Sequence, residues 1–120
     1  MIKELSFHLP ILRLFLNKEC SHIKIPADET FILAPSLIKK LSSLQISEGI
    51  LAEVEIPPFY NTPQGKKILI VDGIQDPGNL GTIIRTALAL NWDHLILLEN
   101  SVDPYNDKAL RSAKGSTFLL

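Results

Sequence analysis

The chain has 120 residues, 46% hydrophobic and 21% charged, which is the composition of an ordinary soluble globular protein. It contains no apolar run long enough to cross a bilayer, and its single cysteine excludes an internal disulfide and a cysteine-based zinc site. The net charge of −1 does not favour nucleic-acid binding, so evidence for such binding must come from particular residues. The start of the chain is a poor secretory signal, which together with the missing bilayer span and the single cysteine predicts a cytoplasmic location. His8, His22 and His94 lack the spacing of metal ligands, so we expect no metal.

The N-terminal part, residues 1–57, alternates short helical and extended patterns. Pro10 suits the first turn of a helix. The spacing behind it places three apolar residues on one helical face, namely Leu12, Phe15 and Leu16. We therefore predict a helix after Pro10, followed by two short strands at residues 22–25 and 31–34.

A second helix and a strand complete this part. Ser36 is a suitable N-cap for the helix, whose apolar side is formed by Leu37, Ile38, Leu41 and Leu44. Gly49 then turns the chain into residues 50–56, where apolar positions alternate with mostly polar ones. That period of two predicts a strand with one buried face.

Residues 58–65 contain two prolines, an asparagine and a glycine, which suit neither a helix nor a central strand. We predict that they form a linker between residues 1–57 and residues 66–120. The N-terminal part is small enough that its core is marginal by itself.

The C-terminal part has the pattern of a parallel α/β sheet. Residues 68–71 are a continuous apolar run, which is typical of a parallel strand buried on both faces. A polar loop follows at residues 72–79, and then a helix with one apolar stripe. The pattern continues with a strand at 94–98, a short helix ending at Lys114, and a third strand from Ser116. Alternation of strands and helices predicts parallel strands.

The loop after the first of these strands carries the strongest functional pattern. In open α/β sheets, ligands bind beyond the carboxyl ends of the strands. Pro77 and Gly78 favour a tight turn, and Asn79 stands where a helix N-cap belongs. Gly81 allows a ligand or another chain segment to approach the first helical turn closely.

Arg85 lies farther along the same helix, pointing about 130° away from the centre of the apolar stripe. A guanidinium on a polar helix face beside such a loop suits a phosphate. The partial positive charge at the start of the helix would attract the same anion. These residues predict an anion site.

Residues 72–87 closely resemble the first motif of the SpoU (TrmH-like) class of SPOUT RNA methyltransferases. Every position of that motif is present: Asp76, Pro77, Asn79, Gly81, Arg85, Thr86 and Ala87. Residues 103–106 and 111–115 resemble the continuation of the family sequence. Residues 37–57 resemble the small substrate-binding domain that these enzymes often carry.

The resemblance implies that residues 66–120 are the first half of a SPOUT-type α/β methyltransferase domain, which is knotted when complete, and that residues 1–57 are a partial RNA substrate-binding domain. It implies transfer of a methyl group from S-adenosylmethionine to a ribose 2′-hydroxyl of RNA, with ribosomal RNA as the expected substrate and a homodimer as the assembly. Arg85 and Asn79 would be catalytic, and Arg85, Arg111 and Lys114 would contact RNA. The helix end near Arg111 and Lys114 also suits basic residues for purely structural reasons.

The family's later motifs, which form the cofactor pocket inside a C-terminal knot, are not found before Leu120. We therefore expect an incomplete enzyme that lacks the knot and the cofactor pocket. Two alternatives stay open, namely a non-catalytic RNA-binding module and an inactive remnant.

Overall fold

The computed structural model describes residues 2–42, 48–59, 62 and 65–120. The chain divides into two compact units, Met1–Ile56 and Pro57–Leu120. Half of the predicted linker, at positions 60, 61, 63 and 64, lies outside the described residues, so the linker stays a prediction. None of the helices in the described ranges is long and apolar enough to cross a membrane.

In its described residues, the first unit is a three-stranded mixed sheet with two helices. Its elements are α1 (Ile2–Leu5), β1 (Ile11–Asn17), β2 (Glu29–Leu33), α2 (Pro35–Leu41) and β3 (Ile50–Val54). The strand order is β2-β1-β3, with β1 parallel to β2 and antiparallel to β3. The buried core of this unit consists of Ile11, Leu14, Leu16 and Ile25.

The helix predicted after Pro10 is wrong, because these residues form the central strand β1. Leu14 and Leu16 are buried on one face of the sheet. Arg13, on the same central strand, is exposed. The guanidinium of Arg13 lies 3.4 Å from Glu29 and 3.0 Å from Glu53. Pairing on both edges of β1 outweighs a helical spacing that three apolar residues happen to share.

The strand predicted at residues 22–25 is also wrong, because the segment is irregular and pairs with no strand of the described chain. Its apolar side chains Ile23 and Ile25 instead pack directly into the core. The other two strand predictions are confirmed, since β2 ends at Leu33 and β3 follows Gly49, whose φ is +79°. Burial without strand pairing explains the apolar pattern of the irregular segment.

Helix α2 forms where the sequence predicts a helix, but its start and its buried side differ. Ala34, not Ser36, is the N-cap and makes no side-chain cap bond. Ile38 is buried, while Leu37 and Leu41 are 47% and 60% exposed. Leu44, which the pattern assigns to the same side, lies outside the described residues.

The second unit is a parallel pair of strands joined by a helix. Its elements are β4 (Ile68–Val71), α3 (Pro77–Ala89), β5 (His94–Leu97), α4 (Asp107–Ala113) and a 3-10 turn at Ser116–Phe118. The parallel register pairs Ile68 with His94 and Val71 with Leu97. Leu80, Ile84 and Ala113 form its buried core. The prediction of an α/β chain with parallel strands is confirmed in this pair.

Two predictions for the second unit are wrong. The third strand expected from Ser116 is a 3-10 turn, preceded by Gly115 with φ +87°. Strand β4 is not buried on both faces, since Ile70 is 61% exposed. A short apolar run does not reveal by itself which neighbours will cover it.

Candidate functional site

The loops that follow β4 and β5 meet at one edge of the parallel strand pair. The backbone N–H of Val102 donates to the carbonyl of Ile74 at 2.8 Å. The side-chain amide of Gln75 donates to the carbonyl of Asn100. These bonds fix the loop that leads into α3, at the edge where the sequence predicts a ligand site.

Asp76 is the N-cap of α3, so the prediction that Asn79 caps this helix is wrong. One carboxylate oxygen of Asp76 accepts the backbone N–H of Asn79 at 2.7 Å. The other lies 3.1 Å from the ammonium group of Lys108. The bond from the Asn79 N–H, and then that from Lys108, lower the pKa of Asp76 below its ordinary value. The positive end of the helix dipole therefore already faces a carboxylate of the protein itself.

The two predicted catalytic residues both lie exposed on α3. Within the described part of the chain, neither the Asn79 side chain nor that of Arg85 has a hydrogen-bond or ion-pair partner. Six residues of helix separate them by about 9 Å along the axis and about 120° around it. Both side chains are thus available to a ligand, but the helix does not bring them onto one face.

Helix α4 packs directly against the first turns of α3. The hydroxyl of Ser112 donates to the carbonyl of Gly78 at 2.7 Å, and that of Thr82 donates to the same oxygen at 3.0 Å. A Cβ on Gly81 would lie 2.6 Å from the Cβ of Ser112 and would overlap the carbonyl of Ala109. The close approach predicted for Gly81 is therefore made by α4.

Arg111 and Lys114, the other predicted RNA-contacting residues, lie at the end of α4. Arg111 is ion-paired with Asp107 at 3.0 Å, one helical turn earlier. Lys114 is exposed, and its backbone adopts the left-handed conformation with φ +51°. Its backbone N–H donates to the carbonyl of Leu110. Neither residue makes a hydrogen bond or ion pair with Asn79 or Arg85 in the described chain.

Lys108 is the basic residue that contacts the loop, and the sequence patterns do not single it out. A signal for it does exist, because Lys108 lies in the first turn of α4, where the helix dipole disfavours a cation. A basic residue in that position indicates a partner elsewhere in the fold. The partner is Asp76, 32 residues earlier.

A groove of about 760 Å³ lies on the second unit, away from Arg85 and Asn79, which are not among its lining residues. Its walls include an aromatic cluster in which the rings of Phe59 and Phe118 lie 6.3 Å and 5.9 Å from Tyr105. Burial raises the pKa of Tyr105. The hydroxyl of Thr117, which also lines the groove, is buried and has no hydrogen-bond partner among the described residues.

S-adenosylmethionine carries a charged amino acid, whose amino group needs an anionic or hydrogen-bonding partner, and a nucleoside. Asp93 is the one side-chain carboxylate that lines the groove in the described chain, and it already accepts the N–H groups of Lys66 and Lys67 at 2.8 and 2.9 Å. The same residues contain no cluster of histidine, cysteine, aspartate or glutamate that could hold a metal. We therefore assign no cofactor pocket.

A sequence model of the SpoU rRNA Methylase family matches residues 66–120, which include the whole α3–α4 site. Residues 66–120 belong to this family. The SpoU resemblance of residues 72–87 is thereby confirmed.

Known SpoU-type and rRNA methyltransferases are similar to the chain but longer. The 23S rRNA (guanosine(2553)-2′-O)-methyltransferase RlmP of Bacillus subtilis is 35% identical over 79% of this chain and 40% of that protein. The mitochondrial rRNA methyltransferase 3A of Danio rerio is 48% identical over 69% of this chain and 21% of that protein. The SpoU methyltransferase AviRb of Streptomyces viridochromogenes, solved with AdoMet, matches with TM-score 0.78 and 26% identity over 98% of this chain and 49% of that chain. The chain therefore spans less than half the length of each.

Proposed function

We propose that this chain carries the RNA-facing part of the site of an S-adenosylmethionine-dependent RNA 2′-O-ribose methyltransferase. The supporting observation is Arg85, an exposed arginine without a protein partner in the described chain, within the residues that match the SpoU family. A surface arginine with no ion pair, on a helix whose opposite side is fully buried, is available to a phosphate. Ribosomal RNA is the proposed substrate class, since the similar proteins are named for it.

In this proposal Arg85 holds the phosphate of the target nucleotide and keeps the 2′-hydroxyl in line with the incoming methyl group. A guanidinium stays protonated near neutral pH, which makes it a poor general base but a good fixed cation. Its contribution is therefore orientation and electrostatic stabilisation. Asn79, with a free amide side chain in the first turn of α3, would orient the same nucleotide.

Arg111 and Lys114 are proposed as additional RNA contacts of unequal strength. Lys114 is exposed at the end of α4, where it can meet a phosphate directly. Arg111 would have to share its guanidinium with Asp107. We therefore expect Lys114 to contribute more to RNA binding than Arg111.

The methyl donor, the assembly and the location are also proposals. S-adenosylmethionine is the expected donor, because AviRb was solved with AdoMet. We assign no step to it in this chain. A homodimer and a cytoplasmic location are consistent with the family resemblance and with the composition.

The test is binding of a 23S ribosomal RNA fragment to the 120-residue chain across a range of salt concentrations. We expect Arg85→Ala to weaken binding about 10- to 100-fold, as loss of a charge-assisted bond implies, and to reduce the salt slope by about one. Arg85→Lys should restore part of the affinity. Lys67→Met, which removes a charge at the far end of β4, is the matched control.

Several outcomes would contradict parts of the proposal. Equal binding by the Arg85→Ala and Lys67→Met variants would remove Arg85 from the site. A parallel assay of methyl transfer from S-adenosylmethionine separates the alternatives. RNA binding without transfer indicates a non-catalytic module, and loss of both indicates an inactive remnant.

A further inference from the structure

Lys108 occupies a position that its own helix does not favour. It is the second residue of α4, and a cation there opposes the helix dipole. Its side chain instead extends across to α3, where the Nζ atom lies 3.1 Å from an oxygen of Asp76. Its Cε atom lies 3.5 Å from the position that a Cβ on Gly78 would occupy, so the chain runs closely over the first turn of α3.

Asp76 connects Lys108 to Asn79. Each oxygen of its carboxylate has a different partner, since Oδ2 faces Lys108 and Oδ1 accepts the backbone N–H of Asn79. The carboxylate thus forms a bridge from α4 to the backbone of the residue whose side chain is presented to the ligand. Displacement of the Lys108 ammonium group would free the carboxylate to rotate away from the Asn79 N–H.

Ser112 holds the same turn from a second point of α4. It lies four residues after Lys108 and therefore on the same face of the helix. Its hydroxyl donates to the carbonyl of Gly78 and lies 3.2 Å from the hydroxyl of Thr82. Two side chains from one face of α4 thus hold the turn that carries Asn79, while Gly81 lets the two helices approach closely.

We propose that Lys108 is a positioning residue, which through Asp76 fixes the turn that presents Asn79 to the RNA. This inference rests on the proposed function of Asn79, but the contacts themselves can be tested separately. The competing explanation is an ordinary surface ion pair, because the side chains of Lys108 and Asp76 are 57% and 47% exposed. Ion pairs of that kind contribute little to stability. If the pair of Lys108 and Asp76 were one of them, its removal would leave Asn79 unaffected.

The first experiment follows the backbone amide of Asn79 by NMR during an acid titration of the 120-residue chain. In the wild type, the amide should report the titration of Asp76 below the ordinary range of an aspartate. Lys108→Met should move that midpoint upward, toward the ordinary aspartate value, and should speed hydrogen exchange of the Asn79 amide. Lys108→Arg should restore the midpoint, and Lys67→Met should leave it unchanged.

The second experiment measures binding of the same 23S ribosomal RNA fragment by these variants. We expect Lys108→Met to weaken binding and Lys108→Arg to restore it. If Lys108→Met does not fold, Lys108→Gln, which keeps a hydrogen-bond donor, takes its place. If the wild-type chain binds no RNA, the proposed function is contradicted. The NMR titration then still decides whether Lys108 positions Asn79.

Two results would overturn the inference. One is that the titration midpoint reported by the Asn79 amide in Lys108→Met equals the midpoint in the wild type and in Lys67→Met. The other is a shifted Asn79 titration with RNA affinity unchanged, because the turn would then be held for stability alone.

Discussion

At the scale of single residues, two aspartates hold the ends of elements in the second unit by accepting backbone N–H groups. Asp76 caps α3, and Asp93 accepts the N–H groups of Lys66 and Lys67 just before β4. The hydrogen bond from the Lys67 N–H, and after it the bond from the Lys66 N–H, lowers the pKa of Asp93 below its ordinary value. Both carboxylates therefore act structurally in their ionised form.

This lowered pKa predicts how stability depends on pH. A carboxylate whose folded-state pKa is depressed stabilises the fold above its unfolded-state pKa, and the contribution is lost as the pH falls through the folded-state value. We expect Asp93→Asn to lower the thermal unfolding midpoint at about pH 7. The difference from the wild type should shrink toward about pH 2, as the carboxylate of Asp93 gains a proton and loses its charge. A difference that is the same at both pH values would show that the charge of Asp93 is not involved.

At the scale of elements, the packing of α4 on α3 depends on the absence of a side chain at Gly81. Alanine is ordinarily the better helix former, by about 0.5–1 kcal/mol. In this helix, however, a Cβ at position 81 would overlap the backbone of α4, which cannot move aside as a flexible side chain can. The glycine thus determines how closely α4, with Lys108 and Ser112, approaches the site.

We predict that Gly81→Ala destabilises the chain by about 1–3 kcal/mol, the usual cost of overpacking. Gly78→Ala is the matched control in the same helix, because the atoms nearest to its Cβ would belong to the side chains of Asp76 and Lys108 and not to backbone. The free energy of unfolding from urea titration should fall much less in that control. A Gly81→Ala variant as stable as the wild type would show that α4 can move away freely.

At the scale of the whole molecule, each compact unit has its own buried cluster. Leu14 is 1% exposed in the first unit, and Leu80 is completely buried in the second. Large apolar side chains in such positions lose both transfer free energy and packing when they are truncated. The stability of each unit should therefore depend on its own central leucine.

We predict that Leu14→Ala and Leu80→Ala each cost about 2–5 kcal/mol. Native-state hydrogen exchange should locate the loss in β1–β3 for the first variant and in α3 and α4 for the second. Leu37→Ala and Leu90→Ala are the controls, since these leucines are 47% and 60% exposed. Unchanged protection of β1–β3 in Leu14→Ala would exclude Leu14 as the centre of that core.

Local sequence was sufficient for much of the second unit. The apolar stripe of α3 follows a period of 3.6 residues, which by itself fixes which side is buried and leaves Arg85 exposed. The motif at residues 72–87 identified the family, because it combines a turn, a helix start and an arginine at fixed spacing. Helix α4 and strands β4 and β5 were also predictable, since each is a short uniform pattern between turn residues.

Other features were decided only by the tertiary structure. Residues 11–17 became a strand because β2 and β3 pair with both of its edges, and those partners are distant in the sequence. The 3-10 turn at Ser116 and the cap by Asp76 depend on which groups come within hydrogen-bond reach after packing. Lys108 reaches Asp76 across 32 residues. The sequence by itself determined the family and the exposed face of α3, because both follow from local spacing, whereas the support of that face by α4 arises only when the fold brings distant residues together.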